Sequence, residues 1–440
     1  MRTACRRVGL ICSCLATVVA LAGSATARSP LVSNDAAARC GLVRSWFAQA
    51  PVDYERSRVS QWKLFYNRIY ATSSSGLMTA FDAETGETLW TTSIGAPGAH
   101  AFGPGVNLDY LAVVSASKLY LLDRADGHVV WSRELGSAPA AGPALSDKYA
   151  FVTLLSGRVE AYELADPTVQ PWYYPSIGRS YERPTATGSI VSWQTTAGML
   201  YVASADSPRI LFRLQTNDEI IASPVEKKPY LYAASQDGYL YCIHEISGIE
   251  KWRFSTGYSI VSKPAVVGDV TFVASLEPAL HAVDSQTGKE GWRAPGLTQF
   301  VARGKDRVYA ADSSGRLYVL DLKTGSYINS LAVAEGTVPV VNDQTDRIFL
   351  VNDHGLVQCL HEIGADRPTK YREPPTREAP TVETDEEPAV NPFEVEGAGA
   401  EPADEDQPAD EEANPFGGDT NPFGADAGEV DSDDDNPFGL

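Results

Sequence analysis

The sequence predicts an all-β fold, an eight-bladed β-propeller of four-stranded antiparallel blades followed by a disordered acidic tail. Three observations support this prediction. A short stretch around Asp82 recurs down the chain, a large aromatic residue follows most copies at a nearly constant distance, and a proline opens most units. Repeats of about 40 residues built from short β-rich segments are typical of propellers with one blade per repeat.

The repeat has eight copies, separated by 41, 40, 41, 40, 40, 37 and 40 residues. The equivalent positions are Asp82, Asp123, Glu163, Ser204, His244, Asp284, Asp321 and His361. An aromatic residue eight or nine positions later is predicted to dock against the neighbouring blade in six copies: Trp90, Trp131, Trp172, Phe212, Trp252 and Trp292. Asn329 takes this place in the seventh copy. The units open at Pro104, Pro143, Pro184, Pro224, Pro264 and Pro339.

Each unit has the composition of consecutive β-hairpins. In the fifth, residues 230–234 and 239–243 are aromatic and β-branched runs separated by Ser-Gln-Asp-Gly, which has the composition of a hairpin turn. In the first, the chain turns between Asp82 and Gly86, where glycine permits the left-handed conformation. The aspartate is expected to accept backbone N–H bonds within the turn. His244 and His361 occupy the same slot, and we expect the same structural role for them.

The motif Ala-x-Asp-x-x-Thr-Gly-x-x-x-Trp at residues 80–90 and 282–292 resembles the tryptophan-docking repeat of the pyrroloquinoline-quinone-like (BamB-like) propeller family. The resemblance covers roughly residues 57–363. It implies the fold strongly and the function weakly, since such repeats occur both in quinoprotein dehydrogenases and in non-enzymatic subunits of outer-membrane protein assembly.

The resemblance leaves an enzyme as the alternative function. Quinoprotein dehydrogenases typically need a disulfide between adjacent cysteines and calcium ligands, and the chain after residue 27 has no adjacent cysteines. The six histidines are scattered without metal-ligand spacing. We therefore expect no catalytic, cofactor-binding or metal-binding residues, although sequence alone does not exclude a hydrolytic triad. Cys40, Cys242 and Cys359 are expected to be core thiols rather than a disulfide framework.

Residues 1–27 read as a signal peptide, because three arginines precede an apolar run that ends in Ala-Thr-Ala. A retained membrane anchor is the alternative, but the run is shorter than a span requires. The chain is therefore expected to be exported to the periplasm or cell envelope. In residues 28–56 we expect the segment around Trp46 to return as the outer strand of the last blade, because the eighth unit lacks one and an open ring exposes sheet edges.

The third unit departs most from the repeat. Prolines replace its Thr-Gly turn, and an aromatic and basic cluster follows. Aromatic residues and arginines are common anchors of protein interfaces, so this cluster is a candidate partner-binding site: Tyr173, Tyr174, Arg179, Tyr181 and Arg183. The alternative is that Trp172 docks normally and the tyrosines pack on their own blade.

Residues 364–440 are predicted to form a disordered acidic tail. Residues 371–440 carry 22 Asp and Glu against two arginines, whereas the propeller is nearly neutral and lacks the basic patch of a nucleic-acid-binding protein. Asn-Pro-Phe occurs four times in this tail, presenting Phe393, Phe416, Phe423 and Phe438. These phenylalanines either bind a protein partner multivalently or belong to a merely solvating tail. We expect a monomeric, non-enzymatic binding or scaffolding protein with an envelope partner, without cofactor or membrane span.

Overall fold

The computed structural model describes residues 30–374, apart from residues 54 and 97. Within this range the chain forms eight four-stranded antiparallel sheets, arranged as the blades of a closed propeller. This architecture confirms the predicted fold class. One short helix, α1 (Asn34–Arg39), precedes the first strand. The predicted signal peptide and the four tail phenylalanines lie outside the described residues.

The strands follow one another around the ring from the innermost to the outermost strand of each blade. Blade 1 consists of β2 (Val59–Phe65), β3 (Arg68–Ser73), β4 (Leu77–Asp82) and β5 (Thr88–Ser93), and blade 2 of β6 (Ala101–Val106), β7 (Tyr110–Ser115), β8 (Lys118–Asp123) and β9 (Val129–Glu134). Blade 3 consists of β10 (Ala144–Leu145), β11 (Tyr149–Thr153), β12 (Arg158–Glu163) and β13 (Trp172–Pro175), and blade 4 of β14 (Thr185–Ala186), β15 (Ile190–Gln194), β16 (Met199–Ser204) and β17 (Ile210–Gln215).

Blades 5 to 8 repeat this order, and the eighth takes its outer strand from the N-terminal part of the chain. Blade 5 consists of β18 (Val225–Lys227), β19 (Tyr230–Ala234), β20 (Tyr239–His244) and β21 (Glu250–Ser255), and blade 6 of β22 (Ala265–Val267), β23 (Val270–Ser275), β24 (Ala279–Asp284) and β25 (Glu290–Pro295). Blade 7 consists of β26 (Gln299–Arg303), β27 (Arg307–Ala311), β28 (Leu317–Asp321) and β29 (Tyr327–Leu331), and blade 8 of β30 (Thr337–Val340), β31 (Ile348–Asn352), β32 (Leu356–Glu362) and β1 (Leu42–Gln49).

The core lies between the blades. The two middle strands of a blade are buried along most of their length, as in β23 and β24, because neighbouring blades cover both faces of the sheet. The outer strand β25 instead alternates between exposed and buried residues, with Trp292 among the buried ones. Continuous apolar runs in the middle strands and alternation in the outer strand follow from this difference in coverage.

The N-terminal strand closes the ring. β1 pairs antiparallel with β32, with Leu42 opposite Glu362 and Trp46 opposite Cys359. This is the pairing that the ring-closure hypothesis requires. Trp46 occupies the aromatic slot of blade 8, and its ring lies against Gly86 of blade 1. The last blade is therefore built from both ends of the propeller sequence, and its outer edge is paired.

The docking aromatics contact the turn of the next blade. The indole Nε1 of Trp252 donates to the carbonyl of Ser285 at 3.2 Å, and its ring covers Gly288. A Cβ at Gly288 would lie 2.6 Å from Cδ2 of Trp252. The φ of Gly288 is +72°, in the left-handed region, so both the contact and the backbone conformation require glycine at this position. The same carbonyl contact recurs for three further docking residues: Trp90, Trp131 and Trp292.

Asn329 breaks the aromatic series because helix α1 packs at its position. The Asn329 side-chain amide donates to the carbonyl of Arg39, the last residue of α1, at 2.7 Å. The thiol of Cys40 contacts the carbonyl of Ser330, and Arg307 donates to the carbonyl of Cys40. The helix therefore occupies the space that an indole fills elsewhere. Cys40, Cys242 and Cys359 are all buried and free, in agreement with their assignment to the core.

Residues 364–374 correct the predicted start of the tail, because they are held on the ring. Arg347 donates to the carbonyls of Ala365 and Asp366 at 2.8 and 3.1 Å. Further along, the Tyr371 hydroxyl donates to the carbonyl of Gly304 on blade 7, and Arg372 forms a salt bridge of 3.1 Å with Glu226 on blade 5. We call residues 364–374 the strap. The sequence prediction missed it because the strap has the proline-rich, charged composition of the tail.

Candidate protein-binding surface

The third blade docks on its neighbour through a different residue from the one predicted. Trp172 occupies the aromatic slot in register, opposite Ala161, but its Nε1 has no hydrogen-bond partner among the residues described. Instead the hydroxyl of Tyr174 lies 2.6 and 2.9 Å from the carbonyl oxygens of Ser204 and Ser207 on blade 4, and its single proton is donated to this pair. Tyr174 is only 1% exposed. It therefore stabilises the contact between blades 3 and 4, which removes it from the candidate partner-binding residues.

Arg183 also points inward. Its guanidinium donates to the carbonyl of Pro104 at 2.7 Å and to that of Gly103, both on the innermost strand of blade 2. Burial lowers the pKa of Arg183 to about 10. The side chain thus lies inside the ring rather than on its surface, and the grouping of Arg183 with the tyrosines was wrong because neighbours in sequence face different sides of the connection.

The remaining candidates lie on the outside. Tyr173, Ile177 and Tyr181 are 48%, 61% and 50% exposed. Arg179 is exposed too, as is Leu155 in the turn between β11 and β12. That turn lies against the connection, since a Cβ at Gly157 would contact the carbonyl of Gly178. We call Leu155, Tyr173, Ile177, Arg179 and Tyr181 the third-blade surface. Its mixture of exposed aromatic, aliphatic and guanidinium groups is typical of protein interfaces.

The aspartates of the repeat serve the turns. Oδ1 of Asp284 accepts the backbone N–H of Gln286 and of Thr287 and the hydroxyl of Thr287. Hydrogen bonds from Thr287 lower the pKa of Asp284. His244 does the same with Nδ1, which accepts the N–H groups of Ile246 and Ser247 at 3.3 Å.

His361 behaves differently from His244. Its Nδ1 lies 2.8 Å from the carbonyl of Glu362, to which it must donate. The turn role predicted for His361 is therefore wrong, because the chain continues into the strap instead of a β-hairpin.

One turn brings three possible metal ligands together. Ligand atoms of Asp123, Asp126 and His128 lie within 4.8 Å of one another on the surface of blade 2. Asp126 accepts the N–H of His128 and contacts its Nδ1 at 2.6 Å, while Asp123 accepts the N–H of Ala125. Turn hydrogen bonds therefore explain the arrangement.

A serine, a histidine and a glutamate form a contact chain in blade 6. Nδ1 of His281 lies 2.7 Å from Glu290, and Nε2 lies 3.5 Å from the hydroxyl of Ser275. This order is that of a hydrolytic triad. However, Ser275 and His281 are 4% and 2% exposed, and the Ser275 hydroxyl donates to the carbonyl of Glu277 at 2.6 Å. The serine is therefore neither free nor accessible to a substrate in this arrangement.

Sequence reasoning missed the lysines of the central channel and gave Arg183, which lies with them, a role on the surface. Lys63 on β2, Arg183 before β14 and Lys263 before β22 come from blades 1, 4 and 6, and their charges interact. Nothing local in the sequence connects them. The available signal was positional, since Arg183 and Lys263 each stand directly before a proline that opens a unit.

A family model described as outer membrane protein assembly factor BamB matches residues 73–220 and 179–364, which is more than half of the chain. The chain belongs to this family. The BamB of Moraxella catarrhalis has a similar structure, with a TM-score of 0.58 at 19% identity, covering 73% of this chain and 97% of that one. No curated protein matches the sequence.

Two further solved structures are also similar to this BamB-family chain. They are the computationally designed Ika8 protein (TM-score 0.56, 15% identity, 70% of this chain and 96% of that one) and the C-terminal WD40 domain of Sif2 (0.54, 12%, 73% and 98%). At such identities the likeness shows the fold alone. Among the described residues, no helix has the length and hydropathy needed to cross a membrane.

Proposed function

We propose that this BamB-family propeller is an exported, monomeric and non-enzymatic protein-binding module of the cell envelope. The observation that carries the proposal is the third-blade surface. Blade 3 replaces the regular turn and moves its docking contact from Trp172 to Tyr174. In the same blade and the connection that follows it, Tyr173, Ile177 and Tyr181 are exposed. Departures from a repeat scaffold are common places for function. The family description, which names an assembly factor of outer membrane proteins, supports a protein partner.

The four Asn-Pro-Phe copies of the tail form the second part of the proposal. Each offers one apolar anchor on an acidic chain, and several weak anchors on one chain bind a multivalent partner more tightly than any single one. Export is supported by the basic and apolar pattern of residues 1–27.

The test is affinity capture from envelope extract with the mature chain, residues 28–440. One variant carries Tyr173→Ser, Ile177→Ser and Tyr181→Ser, and another carries alanine at Phe393, Phe416, Phe423 and Phe438. A matched control carries Ile249→Ser and Ile328→Ser, which replace exposed aliphatic residues on blades 5 and 7. We expect the same partner to be lost from the first two variants and kept by the control. Capture that is equal in all four proteins would refute the proposal.

A further inference from the structure

The central channel has a basic lining that comes from distant parts of the chain. Lys63, Arg183 and Lys263 belong to the innermost strands of blades 1, 4 and 6 or to the residues that begin them. Nη2 of Arg183 lies 3.5 Å from Oε1 of Gln61, and Lys63 stands two residues further along β2, on the same side of the strand. The charge of Lys63 interacts with those of both other residues. Charged side chains on three non-adjacent blades can interact in this way only if they face one another across the ring axis.

The channel wall makes room for the Arg183 guanidinium. Gly103 and Gly142 hold the position before the proline in units 2 and 3, where unit 4 has Arg183. A Cβ at Gly142 would lie 2.8 Å from Nη2 of Arg183, and Gly103 accepts a hydrogen bond from it. The Nε–H of Arg183 finds no acceptor within the described part of the chain. This buried donor is able to bond an acceptor group that enters the channel.

The two lysines lack compensating carboxylates. The ammonium groups of Lys63 and Lys263 form no salt bridge and no hydrogen bond with any residue of the described ranges. Asp343 interacts electrostatically with both. However, Asp343 and Glu226 already pair with Arg372 of the strap, at 3.8 and 3.1 Å.

The surroundings lower the pKa of both lysines, and the shift is large for Lys63. Burial, followed by the charges of Lys263 and Arg183, lowers the pKa of Lys63 to about 7, while Asp343 opposes this shift and Arg372 adds to it. Desolvation, followed by the charges of Arg372 and Arg183, also lowers the pKa of Lys263, and Asp343 opposes this shift. Cations without a direct ion-pair partner attract anions, most strongly where a low-dielectric wall screens them poorly, as at the partly buried Lys63; Lys263 is more exposed, so solvent screens it more.

We propose that the central channel binds carboxylate groups between Lys63, Arg183 and Lys263. A carboxylate accepts hydrogen bonds from a guanidinium and from two ammonium groups and neutralises them. A pocket of about 170 Å³ adjoins Lys263, between blades 6 and 7, so there is space beside the lysine. The carboxylate belongs to a small free molecule.

The probe is oxalate, titrated calorimetrically into the mature chain at low ionic strength. We expect the double variant Lys63→Met/Lys263→Gln to raise the Kd at least about tenfold, since a hydrogen bond to a charged group contributes about that factor. Lys289→Gln, which removes an exposed charge from the β24–β25 turn of blade 6, should leave the Kd unchanged. Oxalate stays fully ionised above pH 6. Its affinity should therefore fall as the pH rises from 6.5 to 8.5, because Lys63 loses its proton.

The proposal is overturned if oxalate does not bind the mature chain, or if the double lysine variant binds it as well as the control does.

Discussion

The blade-docking contact can be tested most directly by replacing Trp252 with alanine. Trp252 is 9% exposed, packs edge-to-face with Tyr232 at 5.9 Å between ring centroids, and donates to the carbonyl of Ser285. The substitution removes a large aromatic group from the interface between blades 5 and 6 and leaves that carbonyl without its donor. Replacing a buried tryptophan by alanine costs about 3–5 kcal/mol. We expect a destabilisation in this range.

Trp172 provides a control of the same residue type. It occupies the equivalent slot of blade 3, but its indole is only partly buried and its Nε1 makes no hydrogen bond with the described residues. Trp172→Ala should therefore cost about 1–2 kcal/mol, the range of an ordinary substitution without a buried hydrogen bond.

Gly288 makes the test specific to docking. In the parent protein Gly288→Ala introduces a Cβ 2.6 Å from the Trp252 ring at a φ of +72°. Overpacking costs about 1–3 kcal/mol and the left-handed conformation about 1–2 kcal/mol. In the Trp252→Ala background only the backbone cost remains, so the double-mutant cycle should show a coupling of about 1–3 kcal/mol.

Urea denaturation, followed by circular dichroism and by fluorescence with the m value checked for each variant, measures these free energies. The docking explanation fails if Trp172→Ala destabilises more than Trp252→Ala. It also fails if Gly288→Ala costs the same in both backgrounds, because the glycine would then not be required by the indole above it.

Three further predictions concern the blade contact, the tail and the channel. Tyr174→Phe removes the hydroxyl that donates to the paired carbonyls of blade 4 and should cost about 1–2 kcal/mol by urea denaturation; no change would assign docking to Trp172 after all. Deleting residues 375–440 should leave the melting temperature nearly unchanged, whereas deleting residues 364–440 should lower it, and equal effects would contradict the strap. Lys63→Met should stabilise the protein by about 1 kcal/mol or more below pH 7. Because the pKa of Lys63 is about 7 in the folded protein and 10.5 in the unfolded chain, the folded state loses its proton first, so this gain should shrink between pH 7 and 10; a constant difference in melting temperature would contradict it.

The repeat made the blades predictable because each unit repeats the same local requirements. A turn aspartate, a left-handed glycine and a docking aromatic lie within about ten residues of one another in each full copy, so one alignment places all the blades. Ring closure was predictable for a related reason, since β32 lacked a partner strand within its own unit and Trp46 lay upstream. Trp172 and Tyr174 were not distinguishable, because both lie on the outer strand and only the packed blade shows which side chain reaches the next turn.

Contacts between distant residues limited the rest of the prediction. Asn329 gave no sign that a helix 290 positions earlier in the chain would take the docking site. The channel lysines, Lys63 and Lys263, are 200 residues apart and come together only because the ring closes. Because the two lysines lie in different repeat units, neither unit has an unusual net charge, and the sequence of a single unit does not indicate the cluster.

Arg347, directly before β31 in blade 8, contacts both the neighbouring blade 1 and the strap. It is almost fully buried, forms a salt bridge of 3.1 Å with Glu84 in the turn of blade 1, and donates to the carbonyls of Ala365 and Asp366 in the strap. Blade 8 thus holds the N-terminal strand, the neighbouring blade and the strap at once. If blade 8 opened, it would expose a sheet edge and release the Arg372 contacts over the channel in the same event. A ligand that binds in the closed channel must therefore also stabilise blade 8, because binding to the closed state alone shifts the equilibrium away from opening.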